Sequence, residues 1–516
     1  MTTAALVTAV FFFLLSTLPP NPVSISLDAV DPALRARTVA GAYHVHTSRS
    51  GGAGDKSAVA AAAARAGLQF VIFTDHGDAT RTPDPPMYLS GVLCIDGVEI
   101  STSRGHYVAL DLPASPYPLA GEPSAVVEDV RRLGGFGIAA HPDHPKPGLS
   151  WSDWDAPIDG LEWLNVDVEW RAESGPRLAR VLFDYLVRPA PAIASVFDRP
   201  VQTFTHWDAL ERVRPIVGLA AVDAHGGGGH GREAGEGADW SVGPGYQASF
   251  ESLSIRALLE RPPTGDAAAD GRLVLEAIRR GRVYSVVDAI SKDVLLAVDD
   301  AGGFTLVSAL SGGAVIAASG EGSRPRLELH AVRAPGSPAV PWVVANWAGD
   351  RPAPAPLREE IVPESATEPI RFASPWRVEK DPASVGEVSS AEGGALLHYT
   401  LAPGARRSQF VAAAADLAPG GDLKRIVFNG RAEHPMRVAV QLRLLPDDAR
   451  WVKSVYLDPR EREVVLAIAD FRPAENGITG LPDIRQARSI LFVVDLVNAR
   501  PGDGGGFAVS GLRVTR

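Results

Sequence analysis

Six histidines and three carboxylates fall at the ends of short apolar runs between residues 44 and 225. His44 and His46 close "GAYHVH", Asp75 and His76 close "FVIFTDH", and Glu99 closes "VLCIDGVE". His106 opens "HYVALDL", His141 closes "GFGIAAH", and Asp223 and His225 close "PIVGLAAVDAH". Alternate side chains of a strand share a face, so His44 and His46 point the same way. A lone H-x-H is weak evidence for a metal site, but the recurrence of such groups at consecutive strand ends is not. Imidazole with carboxylate suits zinc, manganese or iron, and more than four ligands implies more than one ion. No G-x-S-x-G run or glycine-rich phosphate loop competes with this reading. "HGGGGHGREAGEG" lacks the strand-to-helix setting and the lysine of such a loop, and it reads as a mobile lid.

The elements that must position these groups alternate. Between Gly41 and Ala289 the apolar runs are separated by helical stretches such as "KSAVAAAAARAGL" and "EPSAVVEDVRRLGG", which stop at glycine. That alternation predicts an α/β class and a mainly parallel sheet or barrel, with the polar groups at the strand C-termini, the face where barrel enzymes carry catalytic residues. Beyond Ala289, short strand-like runs predict a small β-sandwich over 291–350. A Pro-rich linker follows over 351–371, then a second all-β block over 372–516.

A net charge of -11 and a pI near 5.6 argue against a generic nucleic-acid binder. The single cysteine, Cys94, excludes both a disulfide framework and a cysteine zinc cluster, and it reads as a small core residue. Ala4 to Leu18 is almost wholly apolar and ends at Pro19-Pro20. No Lys or Arg precedes it and no A-x-A site follows. Residues 1–25 read as a signal peptide or uncleaved membrane anchor, placing the protein outside the cytoplasm or on a membrane.

The ordered set "HVHTSRS … FTDH … GVEIS … GHYVAL … AAHP … VDAH" resembles the PHP family, the polymerase and histidinol phosphatase domains, over about residues 38 to 290. "GLEWLN…EWR", the tryptophan of "HWDAL", "VDAHG", "GRVYS" and "PWVVAN" are similar to its CehA/McbA-like branch. The resemblance implies a distorted (β/α)7 barrel with two or three divalent metal ions (Zn, Mn or Fe). It implies a first ion on His44, His46, Glu99 and Asp223, with Glu99 bridging to a second on His106 and His141. A third would sit on His76 and His225, with Asp75 fixing an imidazole from behind. Glu99 and Asp75 are thereby the catalytic carboxylates. The family often carries Asp or His where this chain has Gly51, so the third ion loses a ligand; either Asp55 reaches in from the loop as the candidate substitute, or the site holds two ions only.

Such a metal pair acidifies a bridging water, and the hydroxide attacks phosphorus or a carbonyl carbon. A small phosphoester is the first expected substrate and a carboxyl ester or carbamate the second; a non-catalytic cell-envelope binding protein is the competing class. Arg49, Arg171 and Arg232 are candidates to clamp an anionic substrate. His144 is an alternative to His141. His206 and His230 read as ordinary loop histidines, and Trp163, Trp170 and Trp207 read equally as pocket wall or barrel packing. "RVAVQLRLL…WVKSVYLDPRERE…LFVVDLVNARPGDGGGFAVSGLRV" resembles a jelly-roll module of the galactose- or carbohydrate-binding type, expected to pack as an accessory or to bind carbohydrate.

Overall fold

The computed structural model describes residues 8, 11–23, 27, 30–227, 243–298, 304–306, 315–317, 326–332, 339–346, 367–391, 394–406, 408–418, 423–445, 448–474 and 482–515. The chain divides into two compact units. The first is Met1–Gly77, Thr82–Pro113 and Val130–Pro354; the second is Asp78–Arg81, Ala114–Asp129 and Ala355–Arg516.

Eleven strands organise the first unit: β1 (Thr38–Val45), β2 (Phe70–Phe73), β3 (Met87–Leu89), β4 (Val92–Asp96), β5 (Val98–Thr102), β6 (Gly105–Leu110), β7 (Phe136–Ala139), β8 (Gly160–Asn165), β9 (Val217–Ala221), β10 (Ser254–Leu258) and β11 (Val283–Val286). β1, β2 and β4 run parallel, as do β7, β8 and β9. Two isolated parallel bridges, His76 to Glu99 and Val45 to Ala224, join the end of β2 to β5 and the segment after β9 to β1. β4 runs on into β5 across Gly97, so β1, β2, β4 and β5 to β9 follow one another as neighbours. Val39, Ile72, Leu93, Val108, Ile138, Leu219 and Ile255 fill their core, each such buried side chain stabilising the fold by about 1.5–3 kcal/mol. Helix Lys56–Arg65 starts where the Asp55 carboxylate accepts from the Ala58 N–H at 2.8 Å, and Ala267–Arg279 starts on Asp266 in the same way.

The sheet is mixed. β6 returns antiparallel to β5 through a two-residue turn, and β10 and β11 pair antiparallel beside β1. The strands expected in a separate sandwich over 291–350 are placed differently. Ala339–Ala345 pairs antiparallel with β11 and Leu327–Val332 adds outside it, so both extend the sheet of the first unit. Among the described residues of this stretch, the short pair Leu296–Val298 and Phe304–Leu306 stands apart.

In the second unit two antiparallel sheets enclose one core. Met436, Val438, Val440, Leu442 and Leu444 point into that core from one strand. Between them Arg437 points outward, where its guanidinium binds Asp129 at 2.6 Å, Glu128 at 2.9 Å and the Ala125 carbonyl at 3.0 Å. This two-sheet β architecture is the class expected for 372–516. Most of the 351–371 linker lies outside the described residues. At the N-terminus residues 11–16 are helical, and among the described residues no helix is long and apolar enough to cross a membrane.

Candidate metal centre

β1 ends by turning His44 into the left-handed region at φ 64, and the chain leaves through His46, whose N–H donates to the Ala224 carbonyl at 3.1 Å. His141 after β7 (φ 30) and Asp223 after β9 (φ 45) take the same region. For residues with a Cβ this costs on the order of 1–2 kcal/mol each. Left-handed backbone at three candidate ligands marks the place where the fold gives up local stability to aim side chains.

The ligand atoms converge. Nε2 of His44 and of His46 each lie 3.2 Å from Glu99 Oε2, and 3.5 and 3.1 Å from Asp223 Oδ1. Four ligands at zinc–nitrogen and zinc–oxygen bond lengths on a tetrahedron would be separated by about 3.3–3.4 Å. The imidazole-to-carboxylate spacings therefore suit a divalent ion, and His44, His46 and Asp223 bring their donor atoms within 4.8 Å of one another. Glu99 turns its other oxygen the opposite way: Oε1 lies 2.8 Å from His106 Nδ1 and 2.9 Å from His141 Nε2. His76 Nδ1 approaches Glu99 Oε2 at 3.2 Å. One carboxylate thus spans two sets of imidazoles, the arrangement a bridging ligand requires.

His44 and His46 have their tautomers set from behind. Glu162 Oε1, an acceptor only, lies 2.6 Å from His44 Nδ1. The Ser50 hydroxyl donates to Asp75 Oδ1 at 2.7 Å, so at 3.1 Å it accepts from His46 Nδ1. Each Nδ1 therefore carries the hydrogen and each Nε2 faces the cluster. Gly51 at φ 120 makes this turn, and a Cβ on Gly52 would lie 2.4 Å from the His46 carbonyl oxygen. Glycine at these positions serves the loop that carries Ser50 back to His46.

Burial works against every charge here, and the neighbours decide the outcome. His76, His44 and His106 hold the buried Glu99 carboxyl well below the usual carboxylate range, and His44, His46 and His225 do the same for Asp223. Hydrogen bonds and charge from Asp223 and Glu99 outweigh the desolvation of His46 and lift it to about 9. His44 is raised as well, against burial, by Asp223, Glu162 and Glu99. Burial takes His76 down to about 3 against the attraction of Glu99. His44 and His46, both raised, shed a proton when a cation enters.

Among the described residues, three groups of candidate ligands bring their atoms within 4.8 Å of one another: His44, His46 and Asp223; His44, Glu99 and His141; and His46, His76 and Glu99. His225 is in none of them. Its Nδ1 lies 2.9 Å from the Asp223 carbonyl and its ring stacks on His46 at 4.3 Å, so the expected pairing of His76 with His225 around a third ion is not what these groups form. Asp55 is not a substitute ligand, because its carboxylate is the helix cap and is exposed. Among the described residues, Asp75 touches no imidazole directly. It accepts from the Thr47 N–H and hydroxyl, both at 2.7 Å, and reaches His46 only through Ser50.

Arg49 is bound to Asp84 at 2.7 Å. Arg171, held by Asp167, lines a narrow cleft of about 10 Å³ with Asp223 and His225. His144 accepts from the Lys146 N–H, His206 stacks on Trp154 at 4.1 Å, and Trp163, Trp170 and Trp207 are buried. His230, Arg232 and residues 228–242 of the glycine-rich run lie outside the described residues. Glu162 and Asn165 belong to the site without a metal-ligand motif. Their one signal is a carboxylate and a carboxamide in the otherwise apolar run "GLEWLN".

No family model matches the chain, and no curated protein does. Among solved structures it is similar to a family 11 carbohydrate-binding module from Clostridium thermocellum in complex with a mixed-linked tetrasaccharide. The identity is 16% and the TM-score 0.22, over 27% of this chain and 88% of that one. A CBM4 structure matches at 10% identity and a TM-score of 0.19, over 27% of this chain and 91% of that one. An agarase matches at 10% identity and a TM-score of 0.20, over 29% of this chain and 24% of that one.

Proposed function

We propose that the chain is a metal-dependent hydrolase of the PHP type, its neighbouring strands being the distorted (β/α)7 barrel, and that it acts on small phosphoesters. The observation that carries this reading is Glu99. It is buried, ionised and set between His44, His46 and His76 on one oxygen and His106 and His141 on the other. Two divalent ions there would supply Lewis acidity and an acidified water near neutral pH.

The chain's own residues do the rest. Glu162 and Ser50 keep Nε2 of His44 and His46 presented to the cluster, and Asp223 closes the first set. Arg171, paired with Asp167 beside Asp223 and His225, is the candidate contact for an anionic ester. For the C-terminal unit the reading is an accessory packing role, with carbohydrate binding as the second.

The test is metal analysis of purified protein combined with p-nitrophenyl phosphate, bis(p-nitrophenyl) phosphate and p-nitrophenyl acetate, assayed with added Mn and Zn. The reading expects bound metal and phosphoester hydrolysis that His44→Ala and Glu99→Ala abolish. Absence of metal, or hydrolysis untouched by both substitutions, overturns it. Esterase activity without phosphatase activity moves the substrate to carboxyl esters or carbamates.

A further inference from the structure

β8 supplies none of the expected ligands, yet it is bonded to three of them. Glu162 Oε1 holds His44 through Nδ1 at 2.6 Å, and Oε2 accepts from the His141 backbone N–H at 2.8 Å. The Asn165 carboxamide donates to Glu162 Oε2 at 3.0 Å and to Asp223 Oδ2 at 3.1 Å. Its oxygen accepts from the Val168 N–H at 3.1 Å, which pins the carboxamide to the start of helix Val166–Ala172.

Two residues three apart on a regular strand face opposite sides. Here the register shifts between Glu162 and Leu164 where β8 pairs with β9, and this irregularity turns Asn165 to the side of Glu162. Trp163, between them, donates instead to the Ser285 hydroxyl at 3.1 Å.

The three residues held in this way, His44, His141 and Asp223, are the three candidate ligands with left-handed backbone. They come from three different strand ends. No contact within β1, β7 or β9 alone would keep all three in register with one another.

We propose that Glu162 and Asn165 are a single positioning unit that holds His44, His141 and Asp223 in metal-ready geometry before any ion binds, and so sets the affinity and ligand geometry of the centre. The inference rests on the metal reading above and goes further, assigning to β8 a role that neither residue would have as plain barrel packing.

The full chain is tested as Glu162→Gln, Asn165→Ala and, as a strand control, Trp163→Phe. Zinc and cobalt(II) affinities are measured by chelator competition, ligand geometry by the cobalt absorption bands, and folding by circular dichroism in EDTA. Glu162→Gln and Asn165→Ala should each weaken binding by about 10–100-fold and shift the cobalt bands, while Trp163→Phe leaves both unchanged. Unchanged affinity and bands in the first two variants, with the wild-type chain binding metal, overturn this proposal alone. A wild-type chain that binds neither ion overturns the metal reading and this proposal with it. Should the variants not fold, nitrogen-15 NMR of the metal-free wild-type chain decides. A downfield, exchange-protected His44 Nδ1–H supports the proposal, and a freely exchanging one overturns it.

Discussion

Asp75 reaches His46 only through Ser50, whose hydroxyl lies 2.7 Å from the carboxylate and 3.1 Å from the imidazole Nδ1. Ser50→Ala removes the acceptor that keeps the His46 hydrogen on Nδ1. Zinc affinity should fall by about 10-fold, toward the low end of what outer partners of metal ligands contribute. Asp75→Asn should do more, because it also weakens the two bonds from Thr47. Chelator competition on both variants checks the order, and equal affinity in Ser50→Ala and wild type would refute the relay.

The metal-free protein should be most stable near neutral pH. His46 is held at about 9 when folded against 6.5 for the free side chain. The stability it contributes is fully present below pH 6.5 and lost as pH rises to 9 and beyond. His76 has the opposite sense. At about 3 when folded, it withdraws stability as pH falls from 6.5 toward 3. Each amounts to a few kcal/mol. Thermal melts in EDTA should peak around pH 6–7, and His46→Asn should flatten the alkaline limb. A melt that keeps rising to pH 9 would contradict this assignment.

Gly52→Ala should destabilise the fold by about 1–3 kcal/mol, since the new methyl would sit 2.4 Å from a backbone oxygen and 2.5 Å from the Tyr246 hydroxyl. Gly148 has open space around its Cβ position, and Gly148→Ala is the neutral control. Paired denaturant melts measure the difference.

Arg437 and Asp129 form an ion pair that is 1% and 3% exposed. Removing one partner leaves the other charged and buried, so Arg437→Ala should cost the second unit about 3–5 kcal/mol. The double variant Arg437→Met with Asp129→Leu should recover much of that loss. Calorimetry of the full chain distinguishes the two, and a single variant as stable as the double one would count against a buried pair.

The candidate ligands His44, His141 and Asp223 lie at or just after the C-termini of strands, which show in a sequence as apolar runs. Glu99 and His106 instead sit at the starts of β5 and β6, because the run from Val92 breaks at Gly97. Glu162 sits inside such a run, where a carboxylate looks like an exception, and Asn165 reaches the site only because the register of β8 slips. Neither fact is local. The loop 47–55 was misjudged for a related reason. Its glycines looked like a missing ligand, but their place is explained by the path that brings Ser50 to His46, and Asp55 is spent on a helix start. The strands Leu327–Val332 and Ala339–Ala345 carry alternation that fits either a sandwich or a sheet edge. Only their pairing with β11 decides between the two.

The second unit includes Asp78–Arg81 and Ala114–Asp129 as well as everything after Ala355. Its boundary is therefore not a point on the chain. A gene fragment starting at the Pro-rich stretch would encode the sandwich without the partners of Arg437, and one ending there would encode the first unit with part of another unit attached. The two halves are not interchangeable cassettes, and their genetic exchange by simple fusion at the linker is closed to this architecture.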